Sequence, residues 1–408
     1  MQQTISDQEK INQLEPIYSF IWTWAFRKFI YMPFDTICLF TGNQALKTAA
    51  CSVNYVLRIF GWHPIPKKNV LFFECPRYFE EQEKADKTGD ESGITHPWIT
   101  VNLEDTKLRI HREGQYSDSI FYPNEKSKFP PRYTKSKRPK DNLCTFCGEK
   151  LTIHKRKTRI FRFASEVLPG DSATTENDIG GQSTEVKNAA YPEFKKWLPH
   201  FLIKTDINDR RRAITILDPN AGHYFGDIFY KGADIVAEFV GYQQKTQTGA
   251  GVQRLSCWAD ESCPYDFAEE QKPRLIAEDG DFLNSLTPAI KLGWEYEELF
   301  EKAQLYIKTK SVCDFLNDRN KDNSAKLIEW TDRDTNIVVI QASSFDNPTL
   351  NKQAIRKKLQ YEDPETYAVR CYGIFKEITG KVFSDFDYRI HVINLRDYFE
   401  DEEMRFAA

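Results

Sequence analysis

Lys47-Thr48 closes a short polar segment, Thr41-Gly42-Asn43-Gln44-Ala45-Leu46, that follows the apolar run Ile37-Cys38-Leu39-Phe40 and precedes a helix-like stretch, Ala49 to Phe60. A strand feeding a loop and then a helix N-terminus aims backbone N–H groups at one spot. A lysine there reaches the β- and γ-phosphates of a nucleotide, and the next hydroxyl ligates Mg²⁺. Gly42, Asn43, Gln44, Ala45, Leu46, Lys47 and Thr48 are therefore the candidate nucleotide-binding residues. The usual pattern is G-x-x-x-x-G-K-[ST]; here Thr41 and Leu46 stand at the two glycine positions, and Gly42 lies one place in. A plain strand-to-helix turn capped by Asn43 is the structural alternative.

About two hundred residues later, Val252-Gln253-Arg254-Leu255-Ser256-Cys257-Trp258-Ala259 runs into Asp260-Glu261. A strand ending in adjacent carboxylates is what an ATPase needs beside its phosphates. The first acid, Asp260, holds Mg²⁺ through water, and the second, Glu261, orients and deprotonates the attacking water. A strand end with two solvated acids has the same appearance, and it is the pairing with the lysine loop in this chain order that favours chemistry.

The elements that must carry these groups read as an α/β fold. A chain of 408 residues, 40% apolar and 28% charged with a net charge of -4, suits a globular protein with an ample core. Nine cysteines, scattered apart from one Cys-x-x-Cys, and no secretory signal pattern point to a reducing cytoplasm. The apolar stretch Ile17 to Phe26 is too short to span a bilayer and reads as a buried aromatic helix.

Periodicity predicts a helix over 8–30, a strand over 35–40, the loop, and a helix ending near Gly61. It also predicts a polar insertion over 76–158, a strand over 159–165, and a mobile surface loop over 169–188. A helix near 192–202 follows, then strands at 213–217, 226–230 and 234–239, the last two joined as a hairpin by Lys231-Gly232-Ala233. Helices near 244–251, 265–278, 294–306 and 351–360 alternate with the Asp260-Glu261 strand and strands at 281–286 and 336–341; a short strand at 391–395 precedes an acidic end. Such alternation argues for a mostly parallel sheet with ligands at its C-terminal edge.

An ordered series of segments resembles the large subunit of tailed-bacteriophage terminases. They are the GNQ-x-x-KT loop, RFASEVLPG (162–170), YPEFKKWLP (191–199), GVQRLSCWADE (251–261), EEQKPRLIAEDGDFLNSLTPA (269–289), FDNPTLNKQAI (345–355) and YAVRCYGIFKEITGKVFSDFD (367–387). The resemblance implies an α/β P-loop NTPase of RecA/helicase-like type, with a mostly parallel sheet flanked by helices, a β-hairpin and an irregular insertion. It implies an ATPase domain over 1–375 and, over 376–408, a connector with the incomplete start of an RNase H-like nuclease, so that no DNA cutting is expected of this polypeptide.

Carried over by position, Lys47 contacts phosphates, Thr48 and Asp260 serve Mg²⁺, Glu261 is the catalytic base, and Thr287 lies in the coupling motif at a strand end. ATP and Mg²⁺ are the implied cofactors. Double-stranded DNA, a small terminase subunit and a portal on the procapsid are the implied partners, reached in the host cytoplasm by a homo-oligomeric ring. Leu46, in place of glycine, departs from the usual phosphate-loop pattern.

Cys144-Thr145-Phe146-Cys147-Gly148 is half of a zinc ribbon; Cys75, His111 and His154 are candidates for the remaining ligands, and two free thiols in a turn are the alternative. Between 126 and 160 twelve lysines and arginines face two acids, Asp141 and Glu149. That excess suits sequence-independent contact with a phosphate backbone. Arg210-Arg211-Arg212 offers a charge to a neighbour's ATP in a ring. Another P-loop DNA translocase or helicase, or an assembly module that binds nucleotide without hydrolysis, shares the same residues.

Overall fold

The computed structural model describes residues 20–375 apart from 21, 62, 64, 75, 78–79, 81–98, 102–107, 111–148, 151, 167–171, 177–182, 188, 208–211, 226–227, 243–250, 289–292, 322 and 360. Helix α1 (Trp24–Phe29) leads to β1 (Thr36–Thr41) and α2 (Lys47–Phe60). Short strands β2 (Leu71–Glu74), β3 (Ile99–Val101), β4 (Leu108–Ile110) and β5 (Thr152–Lys155) precede β6 (Ile160–Ser165), β7 (Ser172–Glu176), β8 (Ser183–Lys187) and α3 (Ala190–Trp197). Then come β9 (Ile203–Thr205), β10 (Ala213–Ile216), β11 (His223–Phe225), β12 (Ile228–Tyr230), β13 (Ile235–Gly241), β14 (Ser256–Asp260), α4 (Tyr265–Ile276) and β15 (Asp281–Leu286). A π-helical turn (Glu295–Phe300), β16 (Leu305–Lys308), α5 (Lys310–Asn320), β17 (Ile328–Trp330), β18 (Ile337–Ala342), α6 (Lys352–Leu359) and α7 (Pro364–Tyr372) complete the described chain.

Ten strands form one sheet in the order β17-β16-β18-β1-β15-β14-β6-β13-β10-β9. From β16 to β13 every pairing is parallel, and antiparallel strands close both edges. β14 and β15 are buried along their whole length, because helices cover both faces of a parallel sheet. Nearer the edge, β13 alternates buried and half-buried residues. Ile37, Leu39, Phe163, Trp258, Leu283 and Ile340 pack on one face against residues of α1, α2 and α3. The alternate residues pack on the other face: Cys257, Ala259 and Phe282 against α4, and Cys38, Phe40 and Leu286 against the π-helical turn and Phe375.

A buried ionic cluster ties α2 to the start of β15. Asp281 accepts from Arg58 at 2.6 and 2.7 Å, from Lys68 at 2.7 Å and from Ser256 Oγ at 2.5 Å. Burial alone would raise the Asp281 carboxyl, but the two cations hold it well below the usual carboxylate range. Burial in turn lowers the Lys68 ammonium to about 8.

Four expectations from the sequence need correction, the first being the helix expected over 8–30, which among its described residues is confined to Trp24–Phe29. The segment read as a mobile loop over 169–188 contains β7 and β8, paired antiparallel from Ser172↔Lys187 to Glu176↔Ser183. Lys231-Gly232-Ala233, with Gly232 at φ 74, does not join a hairpin. β12 pairs with β11, whereas β13 lies between β6 and β10 in the main sheet. The helix expected over 294–306 stops at Phe300, and β16, α5 and β17 follow it before β18. The helix expected over 244–251 and the elements expected beyond 376 lie outside the described residues, apart from Gly251, which stands in a turn.

Candidate nucleotide site

The loop between β1 and α2 contains two non-glycine residues in the left-handed region, Gln44 at φ 58 and Leu46 at φ 70. Leu46 occupies the N-cap of α2 and makes no side-chain cap, so the first-turn N–H groups of a fourteen-residue helix meet no capping oxygen there. Such an N-terminus favours an anion. Asn43 therefore does not cap the helix, as the plain-turn alternative required.

The rest of the loop is clamped from outside. Gly42 N–H donates to Ala342 O at 2.9 Å and Asn43 N–H to Arg370 O at 2.7 Å. Ser344 Oγ donates to Asn43 O at 2.6 Å and Asn347 Nδ2 to Gln44 O at 2.7 Å. Gly42 is a glycine for a steric reason: a Cβ there would collide with the Cys371 carbonyl and lie 2.6 Å from Ser344 Oγ.

One strand, β15, separates β1 from β14, and all three run parallel. Their C-terminal ends consequently deliver Lys47, Thr287 and the acidic pair to one place. Lys47 Nζ lies 2.8 Å from Glu261 Oε1 and donates to Thr287 Oγ1 at 3.2 Å. Thr287 N–H donates to Glu261 Oε2 at 3.2 Å, and Thr48 Oγ1 donates to Asp260 Oδ1 at 3.4 Å. Glu261 sits at φ 68, a conformation costly for a side chain with a Cβ, with its N–H bonded to Ser285 O at 2.7 Å.

Asp260 is buried and oriented by residues that sequence reasoning did not single out. Trp258 Nε1 donates to Ser285 Oγ at 2.8 Å, and Ser285 Oγ donates to Asp260 Oδ1 at 2.8 Å. Tyr242 OH donates to the carbonyls of Ala164 and Asp260 at 3.1 and 3.0 Å, pinning the end of β14 to that of β6. Ser285 and Trp258 face the same side of adjacent strands, a relation that exists only once β14 and β15 are in register. Burial pushes the Asp260 carboxyl up to about 6, reinforced by Glu261 and opposed by Lys47, Ser285 and Thr48. A hydroxyl and a buried carboxylate are hard oxygen donors and fit Mg²⁺.

The zinc expectation falls mostly elsewhere. Cys75, His111, Cys144 and Cys147 lie outside the described residues, as do Arg210 and Arg211. His154 stands in β5 and stacks on Phe72 with ring centroids 4.9 Å apart. Among the described residues no group of three or more His, Cys, Asp or Glu is placed to hold a metal, and no helix is long and apolar enough to cross a membrane.

Sheet order and pairing define an α/β fold built on a ten-stranded, mostly parallel sheet with helices on both faces. No protein-family model matches the chain, and no curated protein matches it in sequence. Among solved structures, the large terminase ATPase domain of Thermus phage P74-26 is similar at TM-score 0.42 and 11% identity, over 90% of this chain and 96% of that one. An arginine-to-alanine mutant of the same domain gives 0.43 and 12%, over 91% and 98%. The large terminase of a thermophilic bacteriophage, solved in complex with ADP, gives 0.33 and 13%, over 53% of this chain and 41% of that one.

Proposed function

We propose that this chain is the ATP-hydrolysing motor portion of a tailed-phage terminase large subunit, which drives double-stranded DNA through a portal into a procapsid. The observation that carries the reading is the convergence of Lys47, Thr287 and Glu261 within hydrogen-bonding distance, next to the Thr48–Asp260 pair. A lysine, a hydroxyl and two carboxylates at an uncapped helix N-terminus form a set suited to phosphoryl transfer to water.

In this reading the N–H groups at the start of α2 and the Lys47 ammonium bind the β- and γ-phosphates. Thr48 and Asp260 would hold Mg²⁺, which when bound neutralises charge on the phosphate oxygens. Glu261 accepts the proton of the attacking water. Thr287 touches both Lys47 and Glu261, so its position depends on whether those two face each other or a nucleotide. A homo-oligomeric ring, a small subunit and a portal are the partners that belong to this reading.

The test is ATP binding and turnover, with and without duplex DNA, for wild type, Lys47→Ala and Glu261→Ala. Lost binding in the first variant, and retained binding without turnover in the second, are expected. Equal background turnover in all three would favour a nucleotide-dependent assembly module. A motor that turns over on DNA with no need of portal or procapsid would favour another translocase.

A further inference from the structure

A second cation-rich feature lies at the opposite edge of the sheet from the nucleotide site. A cavity of about 580 Å³ is bounded by three segments: 155–160, 230–236 and 251–253. They lead into β6, β13 and β14, which are adjacent and parallel, so the cavity sits at the N-terminal ends of these strands. Lys155, Arg156, Lys157, Arg159 and Lys231 line it, and Asp234 is the one acid among its described lining residues.

Part of this charge is already used by the fold. Arg159 is buried against Asp218 at 2.6 Å and also bonds Tyr230, while Arg156 reaches the Glu278 carbonyl at 2.7 Å. Asp234 pairs outward with Lys204 at 2.7 Å. Lys155, Lys157 and Lys231 remain exposed, and none of them has an acidic partner among the described residues. The single aromatic ring among the described lining residues, Tyr230, is buried beneath Lys155 and Arg159. Exposed cations without an exposed ring suit a phosphodiester backbone. They do not suit a single strand, whose bases need a stacking surface.

We infer that this cavity is a contact site for the backbone of double-stranded nucleic acid. The choice of a nucleic acid rests on the motor reading above; the placement rests on the cavity and its three exposed lysines. β14 then has the nucleic-acid contact before its first residue and Asp260 at its last. The five residues Ser256–Asp260 span roughly 17 Å at the usual rise of a strand.

The test measures binding of a short DNA duplex to the full chain, without nucleotide, between about 50 and 200 mM salt. The protein is wild type, the triple variant Lys155→Gln/Lys157→Gln/Lys231→Gln, or the corresponding triple arginine variant. Each lysine that neutralises a phosphate contributes about 0.9 to the slope of log affinity against log salt, so the glutamine variant should lose about 2.7 and the arginine variant almost nothing. ATP turnover without DNA should match wild type in both variants, and equal thermal unfolding would show that both are folded.

A wild type that binds no DNA sinks the motor reading. A wild type that binds DNA with an unchanged slope in the glutamine variant overturns the placement alone. Equal loss of duplex and single-strand binding would overturn the preference for a duplex. Tripolyphosphate binding in a Lys47→Ala background, abolished by the glutamine changes while duplex binding persists, would assign the cavity to a free polyphosphate instead.

Discussion

Leu46 shows what can stand in place of glycine in the loop between β1 and α2. Its backbone adopts φ 70 and ψ 19, the left-handed conformation that costs a non-glycine residue about 1–2 kcal/mol. Its side chain meanwhile packs against the main core, a gain of similar size. Leu46→Gly should therefore change stability by less than about 1 kcal/mol in denaturant titration, relief of strain offsetting lost burial. Leu46→Val should be markedly worse, since a β-branched residue tolerates that conformation least. Glu261 leads to a different prediction. Its carboxylate holds Lys47 at 2.8 Å but is half exposed, so the pair contributes no more than about 1 kcal/mol. Glu261→Gln should release Lys47 for phosphate, tightening ATP binding by at most about fivefold while abolishing turnover. Weaker binding in a fluorescent-nucleotide titration would contradict this.

At the level of elements, the loop's shape depends on contacts remote in sequence. The 3₁₀ turn at Ser344–Asp346 and the C-terminal end of α7 grip the loop through Ser344, Asn347 and the Arg370 carbonyl. Gly373, at φ 64, ends α7 where a Cβ would lie 2.5 Å from the Thr41 backbone. Gly42→Ala should push α7 off the loop, reducing stability by about 1–3 kcal/mol and weakening nucleotide binding together. Intact affinity in that variant would show that the clamp does not shape the loop. Lys47, Thr48, Asp260 and Glu261 stand out in the sequence because strand, charge and helix signals coincide there, whereas Thr287 is suggested only by the family resemblance. Ser344 and Asn347, some three hundred residues from the loop they hold, have no local signature. The helix expected over 294–306 overlaps the first two residues of β16, because Leu305 and Ile307 give too short an alternation to mark a strand before α5 begins. Asp363 caps α7 and Pro364 stands in its first turn, but at nine residues the helix is too short for its apolar positions to show a helical period in the sequence.

Across the whole molecule, the sheet puts a raised carboxyl at the end of a fully buried strand, and folding stability must register that. The Asp260 carboxyl rises from 3.8 to about 6 on folding, chiefly through burial. The native state therefore binds a proton that the unfolded state has released. The contribution of Asp260 to the stability of the free protein should fall as pH rises from about 4 to 6, by roughly 3 kcal/mol, and level off above that, and the difference between wild type and Asp260→Asn isolates it from the opposite slope of buried His63. Asp260→Asn removes the penalty while keeping an oxygen for Ser285 and Thr48, so the free variant should melt several degrees above wild type near neutral pH. Nucleotide reverses the order. Mg²⁺ requires the ionised carboxylate, so the rise in melting temperature that Mg·ATP confers on wild type should grow as pH passes about 6, and should vanish in Asp260→Asn. Thermal unfolding of both proteins, with and without Mg·ATP across that pH range, checks both signs at once. A variant that melts below wild type in the free state, or that still gains from Mg·ATP, would mean that Asp260 is held by its neighbours for structure and not for a metal-bound nucleotide.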